Sequence, residues 1–93
     1  MITAIVTINC EMGKVDQVAE ALVDLDSVGE VYSVSGRFDV LAIIRVREYD
    51  SLAKAVSKDI AGIDGIKKTS THMAFRTYSK HGMEKVWAET MGE

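Results

Sequence analysis

Proline is missing from all 93 residues, and cysteine and tryptophan occur once each. The single thiol, Cys10, excludes an internal disulfide and agrees with a reducing compartment. His72 and His81 stand nine positions apart and no second cysteine makes a CxxC, so no metal site is expected. Positive charge is also scarce. The formal net charge is -3 and Lys67-Lys68 is the one adjacent basic pair, which leaves no basic stripe to neutralise phosphates and argues against direct nucleic-acid binding. No apolar run approaches the roughly 20 residues of a membrane span. The apolar opening, Met1 to Ile8, lacks the positive n-region and small-residue cleavage site of a signal peptide. A soluble, cytoplasmic protein without a membrane partner is expected. A P-loop, a GxSxG elbow, a dinucleotide fingerprint and HExxH are all absent, so no cofactor is expected either.

What is present suits one small domain. Hydrophobic residues make up 47% and charged residues 27% of the chain, enough for a single modest core. With no disulfide to help, association with other subunits is an expected further source of stability.

Ile2 to Asn9 (ITAIVTIN) is β-branched and alternates Ala4, Val6 and Ile8 with Thr3, Ile5 and Thr7, which predicts a central strand. Gly13 then breaks the pattern and offers an N-cap. Val15, Val18, Ala19 and Leu22 follow at helical spacing to about Leu25. A second strand is expected from Val28 to Ser35, and a third, nearly all apolar, from Val40 to Val46. Gly36 to Asp39 is left as a hairpin between them. Asp50 is the expected cap of a second helix, with Leu52, Val56, Ile60 and Ile63 inward, and Gly62 and Gly65 close it. A long last strand is predicted over Ile66 to Tyr78. The tail from Lys80 has a helical period in Met83, Val86, Trp87 and Met91.

The same strand-helix-strand plan is thus written twice. The predicted fold is α+β, a ferredoxin-like βαββαβ sandwich: a four-stranded antiparallel sheet with both helices on one face. The expected division is a domain over residues 1–78 and a helical extension over 79–93 that packs at a subunit interface. The other sheet face would expose Thr3, Ile5 and Thr7 with Leu41 and Ile43, an apolar patch that calls for a partner subunit.

Two stretches stand above this background. In Ser35-Gly36-Arg37-Phe38-Asp39 the glycine allows a backbone angle other residues resist, and exposed turn amides can hold a carboxylate. Asp39 then either accepts hydrogen bonds from an amino group or caps the turn; a plain hairpin is the simpler reading. In Thr69-Ser70-Thr71, alternation puts Thr69 and Thr71 on one face, where paired hydroxyls suit a small polar ligand, although threonine is also an ordinary strand former. His72 reads most economically as structural, and Trp87 with Met83 and Met91 as a packing face.

Taken together, VYSVSGRFDVLAIIRV and IDGIKKTSTHMAF resemble the effector domain of the leucine-responsive/AsnC family of transcription regulators, the RAM domain. That family has a Gly-x-x-Asp hairpin after the second strand, matched here by Gly36 and Asp39. A Gly-Val/Ile step into a T-x-T strand is matched by Gly65-Ile66 and then Thr69 and Thr71. The resemblance is collinear from about Ile2 to Tyr78. It implies a non-enzymatic amino-acid-sensing module whose sheets pair face to face into dimers, a dimeric αβ-barrel, and whose dimers assemble into octamers or decamers. It implies an amino-acid effector held between subunits, touched by the Gly36 to Asp39 hairpin and by Thr69 and Thr71 of a neighbour. Ser35, Arg37 and Phe38 come along as members of the same hairpin. Full-length members carry a helix-turn-helix domain, whereas this chain opens on the first strand of the effector domain, so assembly with full-length regulators is the implied route to transcription. The competing class is a small dimeric αβ-barrel enzyme, monooxygenase- or isomerase-like, with His72, Arg45 or Arg76 in the cavity between sheets. An ACT-type regulatory domain is a third relative of the same shape.

Overall fold

Branched aliphatic residues at every second position make β1 (Ile2–Cys10) the spine of the molecule. In the computed structural model, which describes residues 1–80, it is followed by α1 (Val15–Val23), β2 (Val28–Ser33) and β3 (Val40–Val46). Next come α2 (Tyr49–Lys54), which continues as a π-helical segment over Ala55–Ile60, and β4 (Ile66–Ala74). The sheet is antiparallel in the order β2-β3-β1-β4, so the two central strands are the most apolar ones and β2 and β4 are edges. This is the expected βαββαβ arrangement with two helices.

Ala4, Val6 and Ile8 of β1 and Val40, Ala42 and Ile44 of β3 pair directly and are fully buried, together with Val18 and Leu22 of α1 and Ile60 of the π segment. Leu52 of α2 and Ala55 of the π segment belong to the same cluster, so both helices cover one face. Each large aliphatic side chain taken out of water there contributes about 2 kcal/mol.

Several boundaries differ from expectation. Gly13 does not cap α1: it takes φ +78 in the preceding turn, and Lys14 occupies the cap position without a side-chain bond. Asp50 lies inside the first turn of α2, behind Glu48 at the cap. β2 stops at Ser33, the partner of Val40, so the connection is Val34 to Asp39, longer than the four residues expected. β4 stops at Ala74, opposite Thr3, four residues short of the expected Tyr78. The helical period expected in the tail, Met83 to Met91, lies outside the described residues. Among the described residues no helix is long and apolar enough to cross a membrane.

Candidate functional site

The β2-β3 loop is fastened to the end of β1. Asp39 donates its amide to the Ile8 carbonyl at 2.9 Å, and its Oδ2 accepts the Cys10 amide at 2.8 Å. Asn9 Nδ2 donates to the Arg37 carbonyl at 2.8 Å, and Val34 closes the loop by donating to the Asp39 carbonyl at 2.9 Å. Asp39 therefore caps the neighbouring strand rather than its own turn, and among the described residues its second oxygen has no donor. Burial, and after it the Asp39 charge, pushes the Cys10 thiol upward, so Cys10 is a neutral core residue. Gly36 sits at the tip with φ +119 and open space around it; Ser35 and Arg37 are exposed, and Phe38 is half-buried.

Thr69 and Thr71 lie on β4 opposite Ile8 and Val6. Directly paired residues share a face, so both threonines project on the helix side of the sheet. They are nevertheless exposed, because α2 lies over β3 and β1 and leaves the outer strand uncovered. The loop and Thr69 thus flank the same end of β1 from opposite sides, two strand spacings or about 10 Å apart. One chain brings the hairpin and Thr69 to one end of the sheet, places Thr71 at mid-strand opposite Val6, and does not join the seven candidates into one cavity.

The helix-free face carries three rows across the sheet: Arg45, Thr3 and Ala74; Glu30, Ile43, Ile5 and His72; Tyr32, Leu41, Thr7 and Ser70. Its centre is the apolar patch expected from the sequence. At its β2 edge is a network that the sequence reading missed. Arg45 Nη1 donates to Glu30 Oε1 at 2.8 Å and the Tyr32 hydroxyl donates to Glu30 Oε2 at 2.5 Å. Glu30 is held below the ordinary carboxylate value, first by Tyr32 and then by Arg45, and Tyr32 is raised by Glu30. The spacing of Glu30 and Tyr32, two apart on a strand, was the available signal. The guanidinium lies over Gly29, where a Cβ would stand 2.5 Å from Nη1.

A cavity of about 380 Å³ lies between the second helix and β4, lined by Tyr49, Leu52, Ala53, Val56, Ser57, Thr71 and Met73. A second, of about 340 Å³, opens near the end of α1 among Asp24, Asp26, Ser51, Lys54 and Asp59, far from any candidate. Among the described residues no cluster of His, Cys, Asp or Glu could hold a metal ion. His72, Arg45 and Arg76, the candidates for an enzymatic site, are all exposed and line neither cavity.

The model of the Lrp/AsnC ligand-binding domain matches residues 3–84. An uncharacterised HTH-type transcriptional regulator of Pyrococcus abyssi is 33% identical over 86 residues, 92% of this chain and 54% of the regulator. The chain therefore spans about half the length of the curated relatives it matches. A protein of Thermus thermophilus superposes with TM-score 0.80 at 38% identity, covering 86% of this chain and all of that one. A transcriptional regulator of Neisseria meningitidis, solved as a complex with L-methionine, shares the fold at TM-score 0.75 and 10% identity, over 84% of this chain and 52% of that one.

Proposed function

We propose, from the premise that this chain belongs to the Lrp/AsnC ligand-binding domain family, that it is a sensor of a small amino acid whose binding sets the assembly of subunits and, through it, transcription. The family is regulatory and non-enzymatic, and it binds amino-acid effectors and oligomerises. The observation that carries the finer reading is the reach of the match, residues 3–84, which takes in both the hairpin and the threonine strand. The methionine complex of the Neisseria regulator agrees with an effector of this class.

In this reading the open sheet faces of two copies pair, burying Ile5, Ile43 and Leu41, and dimers assemble further into rings of eight or ten. The hairpin from Ser35 to Asp39 presents amides and a free carboxylate oxygen to the effector's charged ends. Thr69 and Thr71 approach from a neighbouring subunit. An effector held across that junction favours one assembly by the difference in its affinity for the two states. Full-length regulators of the same family are the proposed partners that carry the signal to DNA, which places the work inside the cell.

A thermal-shift screen against the twenty amino acids, run beside light scattering, tests this. At least one amino acid should raise the melting temperature at millimolar concentration and change particle size. If no amino acid shifts either reading, the sensing function is wrong.

A further inference from the structure

The geometry points to the class of effector: we infer that its side chain is apolar and lodges between α2 and β4, against Leu52, Val56 and Met73. This rests on the amino-acid-sensing reading above, in which Thr71 touches the effector.

Three observations support it. Thr71 and Met73 stand on the helix side of an edge strand that α2 does not cover, and together with α2 they bound a cavity of about 380 Å³. That volume falls within the range of small-molecule sites, roughly 300–1,000 Å³. No ionised side chain lines it. A charged effector side chain placed there would lose water without gaining an oppositely charged partner, whereas an aliphatic or thioether chain loses nothing.

The polar groups of the cavity are hydroxyls with different freedom. The Ser57 hydroxyl donates to the Ala53 carbonyl at 2.6 Å, so toward a ligand it can only accept. Among the described residues the hydroxyls of Thr71 and Tyr49 have no partner and are free to donate. Such a set suits the polar end of an amino acid at the rim and an apolar side chain within. Val56 and Ser57, which line the cavity, belong to the π-helical segment that begins at Ala55. Widened π turns recur at functional sites.

The test is isothermal titration of the full chain with L-leucine, L-methionine and L-phenylalanine against L-aspartate and L-lysine. Apolar amino acids should bind at least about tenfold more tightly than charged ones. Met73→Glu changes an exposed residue and leaves the core intact; it should remove that preference. Ala53→Trp, also at an exposed position, should fill the cavity and weaken apolar ligands alone. If amino acids bind but the charged ones bind as well, or if both variants keep the wild-type preference, the inference is overturned while amino-acid sensing stands. If no amino acid of either class binds, the inference falls, and amino-acid sensing falls with it only where the screen of all twenty is blank as well.

Discussion

The two halves of this chain follow one plan, and their helices are used differently. α1 is a regular helix set tightly on its half of the sheet: Val18 and Leu22 are fully buried, and Gly65 packs so closely that an added Cβ would lie 2.9 Å from Lys14 Cβ and 3.1 Å from Val18 Cγ2. α2 is regular for six residues and then π-helical for six, and Ser57 bonds back to the carbonyl four residues earlier, a contact that bends helices. The first helix packs along its edge strand β2, beside a groove of about 470 Å³ lined by Ala19, Glu20, Val23 and Val31. The second leaves an edge strand bare, and that strand holds Thr69, Thr71 and the cavity. A repeated fold can thus keep one copy for stability and open the other for binding.

Core truncation should separate the halves most strongly. Leu22→Ala sits where nothing can relax and should cost about 4 kcal/mol, whereas Leu52→Ala, beside an open cavity, should cost about 2–3 kcal/mol. Urea midpoints of the two variants decide it; equal losses would mean that the α2 half is packed as tightly as the α1 half.

Gly65→Ala tests the tight half from the other side. Its φ of +98 strains any side chain, and the new methyl meets Lys14 and Val18. The two effects together should cost about 2–3 kcal/mol. Gly36→Ala, with φ +119 but open space, carries the backbone strain alone and should cost about 1 kcal/mol. Thermal unfolding of both variants would show the difference, and a Gly65 variant as stable as wild type would remove the close approach from the account.

Asp39→Ala should cost about 1–2 kcal/mol because the Cys10 amide loses its acceptor, while Asp39→Asn keeps an acceptor oxygen and should cost less. Hydrogen exchange at Cys10 is the direct reading: faster exchange in the alanine variant alone is the expected pattern. Equal protection in both variants would leave Asp39 without a structural role and return it wholly to ligand binding.

Much of this was legible in the chain, and the gaps have physical causes. Alternation in ITAIVTIN and the apolar run VLAIIRV identified the two central strands, because their own residues are apolar or β-branched on both faces. The end of β4 was not legible: Phe75 to Tyr78 is a good strand sequence, but pairing with β1 ends at Ala74, opposite Thr3. Alternation put Thr69 and Thr71 on one face without saying which, since that depends on their register with Ile8 and Val6. The apolar positions Leu52, Val56 and Ile60 fit an ordinary helix, so the π segment left no trace in the period. The candidate site was legible only in its parts. Hairpin and threonines were found, but the cavity beside Thr71 is made by residues that read as plain core.

The smallest expected effect contrasts the two sides of the β2-β3 pair, one dry and one carrying Glu30, Tyr32 and Arg45. Glu30 in the folded chain lies below its ordinary value of 4.5, so its bonds add stability above that pH and lose it as pH falls through the lowered folded value. Tyr32 lies above its ordinary 10.0, so its contribution is complete below pH 10.0 and fades as pH rises through the raised value. At neutral pH both groups are exposed and Glu30→Gln should change the urea midpoint hardly at all, as surface pairs usually do. The difference belongs at the ends of the pH scale. On acidification below pH 4.5 wild type should lose more stability than Glu30→Gln, and above pH 10.0 it should lose more than Tyr32→Phe. Added salt should shrink the Arg45 part of the acid effect. Were the acid limbs of wild type and Glu30→Gln to coincide, the network would be an arrangement of surface side chains with no hold on the fold, and the open face would owe its character to Ile5, Ile43 and Leu41 alone.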